Sequence, residues 1–207
     1  MIDAPAEDAA AVDGRTARRD RNRQSVLDAI LEIFSENIDP TPDIVALRSG
    51  VSPRSVYRYF EDRDELLRAA IARKIETVWP LFTITDLGAG HFDVRLDVFV
   101  ASRVRLFLEV ADTARAARHR ADRVPAIAAQ IAETQRALRD QLERHFAPEI
   151  SELPADCATT TVRAADVASQ FESLEYLRQQ NIDAQGICDI LRVTLTALFR
   201  PPSTVVG

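Results

Sequence analysis

Two hydroxyl–proline pairs, Thr41-Pro42 and Ser52-Pro53, stand eleven residues apart, with Gly50 just ahead of the second. Each pair is a helix start. A Thr or Ser side chain accepts a hydrogen bond from the N–H groups of the first turn, and proline fits the first helical position, where a missing N–H costs nothing. Glycine ends a helix readily because left-handed backbone carries no Cβ penalty there. The spacing predicts two short helices joined by a tight turn, with Ile44, Val45 and Leu47 as the apolar contacts of the first, and Val56 to Tyr59 in the second. A further start follows at once: Asp62 with Glu65 is a capping box, with Asp in place of the usual Ser or Thr.

The flanks read as helix too. From about Ala17 to Glu36, apolar residues at Val26, Ile30, Ile33 and Phe34 recur in steps of three and four, and Asn37 serves as C-terminal punctuation. Another helix runs from Arg63 to Trp79, where Pro80 weakens or ends it. Beyond the loop TITDLGAGHFD, the pattern predicts a helix over Val94 to Ala111, then a shorter Arg-rich piece, TARAARHRADR. A helix opened by Pro125 reaches Phe146, and APEISELPAD reads as a polar, proline-marked connection. Two last helices cover Thr161–Gln180 and Ala184–Phe199, the second capped by Asp183. No period-2 strand pattern and no internal repeat occurs. The expectation is an all-α chain of about nine helices, a small N-terminal bundle and a larger C-terminal one.

Charge adds a functional hint. The net charge of −6 argues against a protein that coats nucleic acid uniformly, but its distribution is uneven. Residues 1–14 hold Asp3, Glu7, Asp8 and Asp13 and no base; residues 15–23 hold Arg15, Arg18, Arg19, Arg21 and Arg23 against Asp20 alone. That switch from −4 to +4 marks the end of an acidic tail and the start of a segment suited to phosphate. A solvated basic helix face is the plainer reading. No apolar run approaches the roughly 20 residues of a membrane-spanning helix. The acidic, Ala-rich start is unlike a secretory leader, so a cytoplasmic location is expected. Cys157 and Cys188 make no disulfide framework and read as reduced thiols.

The stretch SGVSPRSVYRYF carries the chemistry. A short helix, a turn and a second short helix with polar outer positions make a helix-turn-helix, whose second helix usually enters the major groove. Arg54 and Arg58 are four apart and share a face; an Arg can fork onto guanine O6 and N7 or clamp a phosphate. Ser55 can reach a base edge or a phosphate, and Tyr57 and Tyr59 offer hydroxyls to phosphate oxygens. The plain alternative is a helical hairpin with half-buried tyrosines.

Residues from about 17 to 71 resemble the DNA-binding domain of the tetracycline-repressor (TetR) family of bacterial transcription regulators. The matching text is VLDAILEIFSEN followed by TPDIVALRSGVSPRSVYRYFEDRDELLRAAI. The resemblance implies that Thr41, Tyr57, Tyr59 and Arg63 anchor the DNA backbone, that Ser52 caps the recognition helix, and that Arg54, Ser55 and Arg58 read bases. Arg15, Arg18 and Arg19 would act as an arm on phosphate or in the minor groove. Three departures stand out. The family often has Gly near Asn37, a β-branched residue at Pro42, and Lys and His where Arg63 and Tyr59 stand. The implied organisation is an acidic disordered tail (1–14), a three-helix helix-turn-helix domain (15–62), a helical regulatory and dimerisation domain (63–200) and a short tail (201–207). The location implied is bacterial cytoplasm, on the nucleoid when DNA-bound.

The resemblance further implies a homodimer on a pseudo-palindromic operator in double-stranded DNA, released by an unknown small-molecule effector. The last two helices support dimerisation on their own account, because their apolar stripes are wide. Candidate interface residues are Phe171, Leu174, Leu177, Ile187, Ile190, Leu191, Thr194, Leu195 and Leu198. Candidate ligand contacts are Trp79, Phe82, Phe99, Arg103, Phe107, Ile131 and Phe171, and a buried Arg103 would favour an anion. The plainer reading makes most of these core, with Arg103 solvated or ion-paired. Rival readings are a ligand-independent regulator or activator whose C-terminal bundle only dimerises, an enzyme with a helical pocket, and a helical protein-binding module. No cofactor and no metal site is expected: His91, His119 and His145 show no ligand spacing, and there is no phosphate loop.

Overall fold

The computed structural model describes residues 7–36, 38 and 40–200, with side chains described from residue 16 onward. Asn37 lies outside the described residues, and so do the tail residues 1–6 and 201–207. Ten helices make up the described fold, with no strand among them: α1 (Glu7–Ser35), α2 (Pro42–Ser49), α3 (Pro53–Tyr59), α4 (Arg63–Phe82), α5 (Phe92–Ala121), α6 (Pro125–His145), α7 (Ala147–Glu152), α8 (Ala155–Ser169), α9 (Phe171–Gln179) and α10 (Ala184–Phe199). The all-α expectation holds. No helix among the described residues is long and apolar enough to cross a membrane.

Several boundaries differ from the sequence reading, each for a local reason. α1 begins at Glu7, ten residues ahead of the periodic pattern, because the Ala-rich stretch has high helix propensity without needing an apolar face. The Arg-rich piece TARAARHRADR continues α5, since no Gly or Pro interrupts it. Pro80 sits inside α4 without ending it; near the C-terminus of a helix it removes a single backbone bond. APEISELPAD contains a helix, α7, with Pro148 in its first turn, where its missing N–H is harmless. The long helix expected over 161–180 is two helices, α8 and α9, parted at Gln170.

The chain divides into two compact units. The first comprises residues up to Thr77 together with Asp112–Ile127, and the second Val78–Ala111 with Ala128 onward. The division therefore falls at Thr77 rather than at residue 62, and the end of α5 joins the N-terminal unit. There Ala116, Ala117, Val124 and Ile127 are buried, and the Arg120 guanidinium lies 4.8 Å from the centre of the Phe34 ring. Here an arginine stem covers apolar surface.

In the N-terminal unit the core is Val26, Ile30, Ile33 and Phe34 of α1, Val45 of α2, Val56 and Tyr59 of α3, and Leu66, Leu67 and Ala70 of α4. The starts of α2, α3 and α4 were legible. The Thr41 hydroxyl accepts from the Ile44 N–H at 3.4 Å, and the Ser52 hydroxyl from the Ser55 N–H at 3.3 Å. Gly50 takes the left-handed conformation at φ 67°. At α4 the Asp62 carboxylate accepts from the Glu65 N–H at 2.6 Å, while the Glu65 carboxylate reaches back to the Glu61 N–H.

The C-terminal unit is built around one face of α5. Phe92, Leu96, Phe99, Val100, Val104 and Phe107 pack with Leu142 of α6, Phe146 between α6 and α7, Leu174 of α9, and Ile187, Leu191, Leu195 and Phe199 of α10. Phe146 stacks on Phe199 at 4.7 Å and meets Phe99 edge-on at 5.1 Å. Full burial of each such side chain stabilises by about 1.5–3 kcal/mol. α9 ends in a Schellman arrangement: Asn181 is left-handed at φ 61°, its N–H donates to Arg178, and the Ile182 N–H donates to Leu177.

Candidate nucleic-acid interface

α3 is only seven residues long, yet its two sides differ sharply. Val56 and Tyr59 turn inward, whereas Pro53, Arg54, Tyr57 and Arg58 are exposed. Tyr57 shows 64% of its surface, an unusual position for an aromatic ring with no partner to cover it. Ser55 is half-buried. Its hydroxyl accepts from Ser52 at 3.1 Å and from Arg58 at 3.4 Å. Ser55 thus ties the helix cap to Arg58. Thr41, Ser52 and Arg63 are all exposed at the starts of α2, α3 and α4.

Tyr59 stands apart from the other candidates. Its ring is 8% exposed, so it is a core residue of the N-terminal unit whose hydroxyl alone reaches the surface polar groups. That hydroxyl accepts from the Asn22 amide and from the Arg58 guanidinium, each at 3.4 Å. These donors, Asn22 first, hold the phenol below its usual pKa. The Arg58 guanidinium also lies 5.3 Å from the centre of the Tyr59 ring. Asn22 was not legible as a site residue; its one sequence signal is its place inside the arginine run, three residues after Arg19. On the same helix Arg23 covers the Phe60 ring at 5.0 Å.

Pairing separates these arginines from others in the chain. Arg48 pairs with Glu36 at 2.6 Å, Arg73 with Asp28 at 2.6 Å, and Arg192 with Asp97 at 2.8 Å. Among the described residues, Arg18, Arg19, Arg54 and Arg58 make no ion pair. The Arg15 side chain lies outside the described residues. Guanidinium groups without a carboxylate partner attract anions.

The ligand candidates are scattered in character. Phe99 and Phe107 are core, and Phe171 packs on Phe107 at 5.4 Å. Trp79 is exposed and stacks on half-buried Phe82 at 5.7 Å; Ile131 is half-buried. Arg103 is buried, against its plainer reading: it is neither solvated nor paired with a carboxylate at close range. It donates to the Leu138 carbonyl at 2.6 Å and stacks on Phe99 at 4.6 Å. Burial brings its pKa down to about 10, opposed by the charge of Asp166.

The interface candidates divide between core and surface. Leu174, Ile187, Leu191 and Leu195 are buried within their own unit. Phe171, Leu177 and Leu198 pack partly against that core. Ile190 and Thr194 line a groove with Tyr176, Leu177 and Leu191, about 360 Å³ in volume and shared by α8, α9 and α10. The groove holds none of the seven ligand candidates. Val167, Tyr176 and Val193, which were not among the interface candidates, are each more than half exposed on these helices.

Among the described residues no group of His, Cys, Asp and Glu is arranged to hold a metal ion. Comparison with protein families, with curated proteins and with solved structures returns no match for the chain. The likeness to the tetracycline-repressor family rests on the motif in residues 17–71.

Proposed function

We propose that this chain is a sequence-specific, DNA-binding transcription regulator of the tetracycline-repressor kind. It would act as a homodimeric repressor on a pseudo-palindromic operator, with release by a small molecule held in the C-terminal unit. One observation carries the reading: the outward face of α3 presents Arg54, Tyr57 and Arg58, and neither arginine has a carboxylate partner among the described residues. Such a face suits a major groove, with Arg54 toward base edges and Tyr57 toward the backbone. The apolar groove and exposed Val167, Tyr176 and Val193 support a self-association surface on α8 to α10. A dimer doubles the few base pairs that one short helix can read.

A second reading drops the effector and leaves the C-terminal unit as a dimerisation module. It is favoured by the packing of Phe99, Arg103 and Phe107, whose polar and apolar needs are met within the chain.

Binding of a random-sequence duplex measured across ionic strength tests the shared core of both readings. Log affinity should fall linearly with log salt, with a slope of about −0.9 for each phosphate neutralised. Failure to bind duplex DNA at low salt would exclude them.

A further inference from the structure

The outward face of α5 does not read as a solvated helix face. Val94, Val98, Ala101, Arg105 and Leu108 recur in steps of four and three, and all five are exposed. Val94, Val98 and Leu108 show 62%, 45% and 49% of their surface. The opposite side of the helix carries Leu96, Phe99, Val100, Val104 and Phe107 in the core, so α5 has two apolar faces and buries one of them. Local propensity does not explain the valines, because a branched Cβ loses rotamer freedom against the preceding turn. A repeat of 3.5 residues is the spacing that keeps one helix seam against another helix. Charge along the strip is polarised. Asp93 and Asp97 stand at its start and Arg105 toward its end. Asp97 meets Arg192 of α10 at 2.8 Å, whereas Asp93 and Arg105 make no ion pair among the described residues.

We propose that this strip is a second self-association surface, on which α5 of one copy lies antiparallel against α5 of another and joins two dimers into a tetramer. This rests on the dimer reading, and it uses a face apart from the groove on α8 to α10. A two-fold axis crossing the strip between Val98 and Ala101 sets Val98 against Ala101, and Val94 against Arg105, of the second copy. Each Arg105 guanidinium then stands beside Asp93 and Asp97 of the other chain, and symmetry makes the contact twice. A parallel pairing would set Arg105 against Arg105, so the charges select the antiparallel one. Ala101 near the axis lets the two backbones approach. The strip is short: five positions on one helix cover less than the roughly 800 Å² that a standard interface buries on each partner. One such contact is too small to hold two free chains, but a dimer presents two, and pairing through both multiplies their effect. The tetramer carries two pairs of α3 helices and so holds two duplex sites at once.

Sedimentation velocity of the full-length chain over a wide concentration range tests this. The wild type should pass from dimer to tetramer as concentration rises. Val98→Glu and Arg105→Glu should each remain dimers and raise the dimer–tetramer dissociation constant by at least about tenfold. Both positions are exposed, so melting temperatures should stay within a few degrees of wild type. Adding Asp93→Arg to Arg105→Glu reverses both ends of the contact and should recover tetramer lost in the single variant. A wild type that stays dimeric at every concentration would overturn the proposal and leave the dimer reading intact. So would a tetramer that both folded single variants leave unchanged, or a Val98→Glu chain that falls to monomer, which would place the strip in the primary dimer contact. A wild type that stays monomeric throughout would overturn the dimer reading and the pairing of dimers together.

Discussion

The guanidinium of Arg95, on α5, grips the carboxylate of Glu149, on α7, with both side chains more than nine-tenths buried. The same guanidinium donates to the carbonyl of Gly90 at 3.1 Å and to that of His145. One buried cation therefore ties the loop before α5 to the ends of two other helices. Removing one partner leaves the other charge buried alone, which costs about 3–5 kcal/mol, whereas replacing both with apolar groups costs far less. Chemical denaturation should show Glu149→Ala as strongly destabilised and the double variant Arg95→Met, Glu149→Leu as milder than either single change. Additive losses would contradict the pairing.

His145 is buried beside this pair. Its Nε2 lies 2.9 Å from the Arg95 carbonyl, so the neutral ring donates there and Nδ1 is left without a partner. Burial holds its pKa below the ordinary 6.5, while the Arg95 carbonyl favours the proton and nearby Arg95 and Arg103 oppose it. The folded pKa is depressed, so the unfolded chain binds more protons as pH falls. Stability from the neutral ring is complete above about 6.5 and is lost as pH drops toward the folded pKa. Melting temperature measured from pH 8 to pH 5 should fall in the wild type, and fall less steeply in His145→Gln.

Ser52 caps a seven-residue helix, too short to persist without its cap and its tertiary contacts. Ser52→Ala should cost about 1 kcal/mol and Ser52→Gly less. Because Ser52 also donates to Ser55, which receives Arg58, the alanine variant should weaken duplex binding by more than its stability loss explains. Equal binding after correction for the folded fraction would argue against a functional role for the network.

Val193 and Tyr176 are 70% and 61% exposed, so charge there leaves the core untouched. The double variant Tyr176→Glu, Val193→Glu should keep the wild-type melting transition yet sediment as a monomer, since like charges would face each other across a two-fold interface. Duplex affinity should drop with it. A variant that stays dimeric would move the interface off this face.

The starts of α2, α3 and α4 were legible because their determinants are local: a hydroxyl before a proline, Gly50 after Ser49, Asp62 ahead of Glu65. The division of the chain was not, because it depends on which residues Ala116, Val124 and Ile127 bury against, and periodicity alone does not name the partner. The outward face of α3 followed from spacing, with Tyr59 the exception. In a seven-residue helix the second tyrosine falls beside Val56 in the buried stripe, and nothing in the sequence says which tyrosine turns in. Asn22 was hidden for a related reason: its partner is 37 residues away. Arg103 went against its plainer reading as solvated or ion-paired: it is buried, and its hydrogen bond to the Leu138 carbonyl only the fold reveals.

The most direct test of the central claim is selection of bound duplexes from a random DNA pool, run in parallel with wild type, Arg54→Ala and Tyr57→Phe. The account predicts a two-fold site for the wild type, relaxed preference at one position of each half-site for Arg54→Ala, and uniform weakening without altered preference for Tyr57→Phe. Enrichment of no sequence at any salt concentration, from folded and dimeric protein, would contradict it.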